Sequence, residues 1–98
     1  MSEPPLVVIR ITKTCQAAPT QWEGILSDGR VFYVRYRHGR LSLGIGIDLD
    51  DAVHASRMSD PVYEDGTDPL GGWMGLQEML PLANLVLAPG VREEVDLP

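Results

Sequence analysis

The side chains best suited to recognise another molecule lie between residues 22 and 40. This set combines two aromatic residues with three arginines: Trp22, Tyr33, Arg35, Arg37 and Arg40. A planar guanidinium group binds carboxylates and phosphates through two parallel hydrogen bonds, and aromatic rings stack on bases or anchor protein interfaces. The set therefore predicts a binding surface for a protein or for single-stranded nucleic acid. The helix predicted over residues 75–82 would hide the aromatic rings if it packed over the same face, and the sequence leaves that alternative open.

Most acidic side chains lie in the second half of the chain. Residues 1–40 carry six basic and three acidic residues, residues 41–98 carry two basic and eleven acidic residues, and the net charge is −6. One interpretation is that the acidic half folds over the basic sheet. The other is that an acidic surface imitates nucleic acid and occupies the phosphate-binding surface of a partner. Its members would be Asp48, Asp50, Asp51, Asp60, Glu64, Asp65 and Asp68.

These carboxylates do not form a recognisable metal site. A calcium-binding loop that began at Asp48 would need a glycine and a glutamate where the chain has Val53 and Ser59. We therefore expect no bound metal and interpret the acidic segment as a solvated loop.

Catalytic patterns are equally scarce. His38 is interpreted as a turn residue, and His54 could pair with a neighbouring aspartate. The single cysteine, Cys15, precedes a loop and is interpreted as structural. The chain contains no nucleophile elbow, phosphate loop or CxxC motif. We therefore expect no enzyme activity and no cofactor, and a small hydrolase or metal-dependent enzyme is the least favoured alternative.

Two turn signals divide residues 20–47 into two consecutive hairpins. Asp28-Gly29 and His38-Gly39 each separate runs rich in β-branched and aromatic residues. If both are two-residue turns, Trp22 lies opposite Arg35, which favours a cation–π contact between them. One sheet face is then apolar apart from Glu23. Its members are Ile25, Phe32, Val34, Tyr36, Leu41, Leu43, Ile45 and Ile47.

The other predicted face carries the aromatic and arginine residues. On it Tyr33 lies opposite Gly44, so its ring could cover the bare glycine backbone. Arg37 lies opposite Arg40, which is unfavourable unless an acidic group or a bound anion lies nearby.

The remaining chain predicts a small mixed domain. Residues 6–13 form a first strand with Val7, Ile9 and Ile11 on one side, and 14–19 form a loop. Residues 48–55 are a short helix capped by Asp48 or a loop. Next comes a loop over 59–72 with a short strand at 62–63. It is followed by a helix over 75–82 that stops near Leu80, and then by an edge strand over 85–87.

These elements predict a single α+β domain over residues 1–98. It contains an antiparallel β-meander of four or five strands with one or two short helices, and residues 1–5 and 92–98 form loose tails. No apolar run is long enough for a membrane span, and a secretory signal is not recognisable. With one cysteine and no disulfide, the chain suits the cytoplasm.

Three sequence strings also resemble a known group of proteins. They are AAPTQWEG over 17–24, DGR over 28–30 and FYVRYRHG over 32–39. This pattern resembles a family of small uncharacterised proteins of actinobacteria and their bacteriophages, which share QWEG, DGR and YVRYRxG followed by an acidic stretch and a leucine-rich helix. The resemblance spans roughly residues 10–82. It implies a cytoplasmic accessory protein, admits a phage-encoded origin, and transfers no activity.

The expected function is therefore binding. We expect a non-enzymatic interaction protein that binds a host or phage macromolecule through its sheet. A protein partner is favoured, and direct nucleic-acid binding is disfavoured by the net charge of −6. No membrane partner is expected, and dimerisation through an edge strand is compatible with so small a sheet.

Overall fold

The computed structural model describes residues 3–15, 20–64 and 74–96. These residues form seven strands in one sheet and two helices, so the predicted α+β class is confirmed. The strands are β1 (Leu6–Cys15), β2 (Thr20–Leu26), β3 (Val31–Arg37), β4 (Arg40–Gly46), β5 (Tyr63–Glu64), β6 (Leu85–Leu87) and β7 (Glu93–Val95). The helices are α1 (Leu49–Met58) and α2 (Leu76–Leu82).

The sheet is larger than predicted and is mixed. Its order is β5-β4-β3-β2-β1-β6, and β7 also pairs with β1. Strands β1 to β5 are antiparallel neighbours, whereas β6 and β7 both run parallel to β1. The predicted antiparallel meander is therefore present as β1 to β5, but four or five strands were too few, and the sheet as a whole is mixed. The reason is the length of β1, whose outer edge pairs with β6 at residues 6–8 and with β7 at residues 11–13. Residues 93–95 are thus a strand and not a loose tail.

The first hairpin turns through three residues. Leu26 pairs with Arg30, and the N–H of Gly29 donates to the carbonyl of Leu26 at 2.9 Å. Gly29 has a φ of +91°, so the loop is a tight turn followed by a left-handed glycine, a common three-residue hairpin. The predicted two-residue turn is one residue too short, which shifts every pairing between β2 and β3 by one.

That shift exchanges the faces of β2. Trp22 lies opposite Val34 and Ile25 lies opposite Val31. Because successive side chains point to opposite faces, Trp22 joins the buried face and Ile25 leaves it. Ile47 also leaves it, since β4 ends at Gly46 and Ile47 is 84% exposed.

The second hairpin has the predicted register. Arg37 lies opposite Arg40, Val34 opposite Leu43 and Phe32 opposite Ile45. The turn residues His38 and Gly39 both have positive φ, +54° and +76°, as a two-residue primed turn requires.

The inner face of the sheet packs on α2. Its central buried residues are Val8, Ile11, Trp22, Leu26, Phe32, Val34, Tyr36 and Leu41, which cluster with Met74, Met79, Leu80, Ala83 and Leu85. Strand β1 has an irregularity between Val8 and Arg10, so Val8 and Ile11 both point inward. The predicted alternation along β1 was therefore wrong, and Val7 and Ile9 are exposed.

The helices decide whether the segment after Asp48 is helical and show where the second helix ends. Asp48 caps α1 by accepting a 2.8 Å hydrogen bond from the N–H of Asp51, so residues 49–58 are helical and not a loop. Helix α2 continues to Leu82 with Pro81 inside it, two residues beyond the predicted stop. In the described part of the chain, neither helix combines the length and apolar character that crossing a membrane would need.

Candidate functional site

Four of the five predicted binding residues share the outer face of the sheet. Tyr33, Arg35 and Arg37 alternate along β3, and Arg40 lies opposite Arg37 at the start of β4. Their common side follows from the period-two alternation of strand side chains. The structure therefore keeps this part of the predicted surface together.

Trp22 is the exception, and its assignment to this surface was wrong. The three-residue loop places its ring on the inner face, where it is fully buried. Its indole Nε1 donates a 2.7 Å hydrogen bond to Glu93 Oε2, and Lys13 Nζ lies 5.6 Å from the ring centroid. The predicted cation–π contact with Arg35 is replaced by one with Lys13.

Helix α1 lies on the outer face, seated on two glycines. A Cβ on Gly44 would overlap the carbonyl oxygen of Ala52 and the backbone of Ser56, and a Cβ on Gly46 would lie 2.8 Å from the Ala52 nitrogen. The bare backbone of Gly44 is therefore occupied by a helix and not by the predicted Tyr33 ring. This close approach brings the C-terminal end of α1 beside β3 and β4.

The gap between the sheet and the end of α1 is the candidate site, which we name the arginine cleft. It has a volume of about 260 Å³. Its walls come from three parts of the chain: Tyr33 and Arg35 on β3, Arg40 and Ser42 on β4, and Ser56, Arg57, Ser59 and Pro61 at the end of α1 and just after it. No acidic side chain belongs to this lining of described residues.

Arg35 is the central group of the cleft. It lies opposite Ser42 on β4, and its Nε is enclosed without a hydrogen-bond partner among the described residues. A buried donor that lacks an acceptor costs about 1–3 kcal/mol, and more when the group is charged. Arg35 thus lines the cleft with a guanidinium group whose buried Nε is unsatisfied, and an acceptor that draws this group into the cleft would satisfy it.

The phenol pKa of Tyr33 depends on the charges and the burial in the same region. Burial raises the pKa of its phenol above the ordinary value, while the nearby positive charges of Arg35 and Arg57 act in the opposite direction. Both arginines are therefore close enough to Tyr33 to stabilise a negative charge there.

Arg57 was not among the predicted site residues. It lies in the last turn of α1 and is exposed, and it forms no ion pair with a described carboxylate. The available signal was the spacing of Gly44 and Gly46, which places two bare positions on one face of a strand and indicates close approach of another backbone.

The positive charge at the rim of the cleft is partly neutralised by neighbouring side chains. Arg40 Nε lies 2.7 Å from Glu64 Oε1, which is the acidic neighbour expected for the Arg37–Arg40 pair. Arg37 Nε donates to His38 Nε2 at 3.1 Å. Arg40 and Arg37 thus have partners at the rim, whereas Arg35 and Arg57 lack carboxylate partners among the described residues.

The predicted acidic surface is partly used in local structure. Asp48 caps α1, and Asp51 Oδ2 accepts a 3.1 Å hydrogen bond from the N–H of Ile47. Asp50 and Asp60 are exposed, and Glu64 pairs with Arg40. Asp65 and Asp68 lie outside the described residues. Within the described ranges, no group of three or more histidine, cysteine, aspartate or glutamate side chains could hold a metal ion.

The outer face has a second, more apolar depression. It has a volume of about 250 Å³ and lies at the N-terminal end of α1, where Leu49 meets Ile25 and Val31. Arg10, Thr12 and Glu23 border it. Arg10 is already paired with Glu94 at 3.5 Å, so this depression offers less uncompensated charge than the arginine cleft.

Comparison of the chain with protein-family models, curated proteins and solved structures finds no match. The resemblance to small actinobacterial and phage proteins therefore stays a prediction.

Proposed function

We propose that this chain is a non-enzymatic binding protein that docks a macromolecular partner through the arginine cleft. The observation that supports the proposal best is the state of Arg35, which lines the cleft and whose buried Nε has no hydrogen-bond partner among the described residues. An acceptor from a partner that draws the guanidinium group into the cleft would remove the cost of this buried donor. Arg57, supplied by α1, adds a second guanidinium group on the opposite wall.

A protein partner suits the charges better than nucleic acid does. Nucleic-acid affinity grows with the number of phosphates that basic residues neutralise, which requires a continuous basic track. Here Arg40 is paired with Glu64 at the rim, and the chain carries a net charge of −6. A compact basic cleft in an acidic protein favours one acidic group on a partner's surface over a long polyanion.

The proposed setting is the cytoplasm of a bacterial host, with a phage-encoded origin admitted. The single thiol of Cys15 is free, which suits a reducing compartment. Imitation of nucleic acid by the acidic surface stays a prediction, because two of its residues, Asp48 and Asp51, already bind backbone N–H groups.

The proposal is tested by capture with charge-matched variants. The wild type is compared with a cleft variant, Arg35→Gln plus Arg57→Gln, and with a control variant, Arg10→Gln plus Arg92→Gln. Both variants lose two positive charges, so general electrostatic attraction changes equally. Supporting results are a protein retained by the wild type and the control, lost from the cleft variant, and rebound with the same pattern after purification. Equal retention on all three forms would contradict the proposal.

A further inference from the structure

The chemistry of the arginine cleft narrows the ligand to a particular anion, an inference that rests on the proposed function. Arg35 and Arg57 approach the cleft from different elements, a strand and a helix. Two guanidinium groups on different walls can each form two hydrogen bonds to a different pair of oxygens. A phosphate monoester presents three terminal oxygens and nearly two negative charges, whereas a carboxylate presents two oxygens and one charge. The arrangement therefore matches a phosphate monoester better.

The cleft also carries hydroxyl groups. Those of Ser56 and Ser59 are already in use, because each donates to a backbone carbonyl, at 2.6 and 2.7 Å. Ser42 and Tyr33 also line the cleft, and their hydroxyls can donate to an oxyanion. The lining thus offers neutral donors beside the two guanidinium groups, and no acidic side chain among the described lining residues would repel a dianion.

The size of the cleft limits what can carry the phosphate. About 260 Å³ lies just below the usual range of small-molecule sites, roughly 300–1,000 Å³. Beside the cleft, the exposed Asp60 lies between the lining residues Ser59 and Pro61 and would repel the adjacent phosphates of a nucleic-acid strand. A single phosphoryl group at the end of a side chain fits both the size and the charge.

We propose that the arginine cleft binds the phosphate monoester of a phosphorylated side chain on a partner protein. Arg35 and Arg57 hold the phosphoryl oxygens, and Tyr33 and Ser42 donate from the sheet. Arg37 and Arg40 lie at the rim, where they contact the flanking peptide. Clusters of arginines are a recurring solution for the recognition of phosphorylated side chains.

The first test is a titration of the purified protein with small probes. Phenyl phosphate and O-phosphoserine are expected to bind at least tenfold more tightly than acetate or benzoate. Binding should weaken about tenfold between pH 7.5 and pH 5, because the second ionisation of a monoester has a pKa near 6. Arg57→Gln should weaken the binding of phenyl phosphate about tenfold or more, because the loss of one charge-assisted hydrogen bond lowers affinity by at least about tenfold. Arg10→Gln plus Arg92→Gln should leave binding unchanged.

Three results of this titration would overturn the inference. In the first, phenyl phosphate binds no more tightly than benzoate. In the second, Arg57→Gln leaves the binding of phenyl phosphate intact. In the third, oligothymidine without a terminal phosphate binds more tightly than either monoester. Arg57 is exposed on α1, so its substitution tests the cleft even if Arg35→Gln prevents folding. Arg35→Lys keeps the positive charge but removes the planar guanidinium group that can form two parallel hydrogen bonds. We expect this variant to bind phenyl phosphate more weakly than the wild type.

A second test separates this inference from the proposed function. The capture experiment is repeated with lysate treated with phosphatase. Loss of the cleft-dependent partner after treatment supports the phosphate monoester. Retention of that partner would overturn the phosphate inference and leave the proposed function standing. If no partner depends on the cleft even in untreated lysate, the proposed function fails together with the inference of a phosphorylated protein partner.

Discussion

Trp22 on β2 and Glu93 on β7 are joined by a 2.7 Å hydrogen bond from the indole Nε1 to Oε2, although 71 positions separate them in the chain. The indole is fully buried, so its N–H has no access to water. This contact fixes β7 beside β1, because a buried N–H that loses its acceptor carries its full desolvation cost. The tryptophan that resembled a surface anchor is therefore a structural link to the C-terminal strand.

The first prediction concerns this link. Glu93→Ala should lower the free energy of unfolding by about 1–3 kcal/mol, because the indole N–H is left without its acceptor. Glu94→Ala is the matched control on the next position of β7. Glu94 has exposed contacts, an ion pair with Arg10 at 3.5 Å and a 3.4 Å hydrogen bond from the Thr12 hydroxyl, so we expect a loss of about 0–1 kcal/mol. Urea unfolding followed by far-ultraviolet circular dichroism measures both. Equal losses in the two variants would contradict the role assigned to Glu93.

The second prediction concerns the seat of α1. Gly44→Ala places a methyl group against the backbone of Ala52 and Ser56, so the helix must move away from the sheet. We expect a destabilisation of about 1–3 kcal/mol or more, as for overpacked cores. Because Arg57 moves with α1, binding of phenyl phosphate should weaken as well. Ser42→Ala, on the same face of β4, is the control for stability alone and should change the free energy of unfolding by less than about 0.5 kcal/mol.

A folded Gly44→Ala variant with unchanged stability and unchanged phenyl phosphate binding would show that the helix does not depend on the bare glycine. Urea unfolding and the probe titration decide this together, since one reports the packing and the other reports the position of Arg57.

The third prediction concerns the ionisation of Tyr33. Burial raises its phenol pKa above the ordinary value of 10.0, and Arg35 and Arg57 partly offset that rise. Arg57→Gln should therefore raise the midpoint further. The folded state holds this proton more tightly than the unfolded chain does. Its contribution to stability is therefore full below pH 10 and is lost as the pH rises through the folded pKa.

Tyrosinate absorbance measures this midpoint, and subtraction of the Tyr33→Phe curve isolates Tyr33 from the other two tyrosines. Arg92→Gln is the control, because Arg92 lies outside the cleft. A midpoint that falls in Arg57→Gln would mean that Arg57 does not face the phenol.

The two hairpins show how far a sequence can predict register. The second was correct residue by residue, because His38-Gly39 forms a two-residue turn and both hairpin strands follow from it. The first was wrong, because Asp28-Gly29 is equally compatible with a three-residue loop that begins at Ser27. One additional loop residue moved Trp22 to the opposite face and removed it from the predicted site.

The cleft itself could be predicted only in part. Tyr33, Arg35, Arg37 and Arg40 alternate along paired strands, so their common face follows from local spacing. Arg57 belongs to a helix whose docking depends on close backbone contact at Gly44. The spacing of Gly44 and Gly46 indicates that another backbone approaches, but it does not specify which segment of the chain does so. The edge strand over 85–87 was predicted, but its parallel pairing with β1 was missed, and so was β7. Their partner, β1, lies more than 70 positions away, and pairing at that distance leaves no periodic signal.

The fourth prediction concerns the turn between β3 and β4. His38 adopts a φ of +54°, a left-handed conformation that costs a residue with a Cβ roughly 1–2 kcal/mol. Asparagine tolerates this conformation better, and Asn-Gly is a preferred sequence for such turns. His38→Asn should therefore recover a fraction of that cost, measured as a higher urea midpoint. His54→Asn, on the exposed side of α1, is the control and should not raise it. A lower midpoint for His38→Asn would imply that the contact with Arg37 outweighs the backbone strain.

The most direct test of the central claim is a titration of arginine side-chain Nε–H signals by nuclear magnetic resonance, with phenyl phosphate as the probe. Each signal is assigned by single Arg→Lys substitutions. We expect the Arg35 and Arg57 signals to shift together and saturate, while those of Arg10 and Arg92 stay in place. Shifts that are uniform over all arginines, or confined to those outside the arginine cleft, would contradict the central claim.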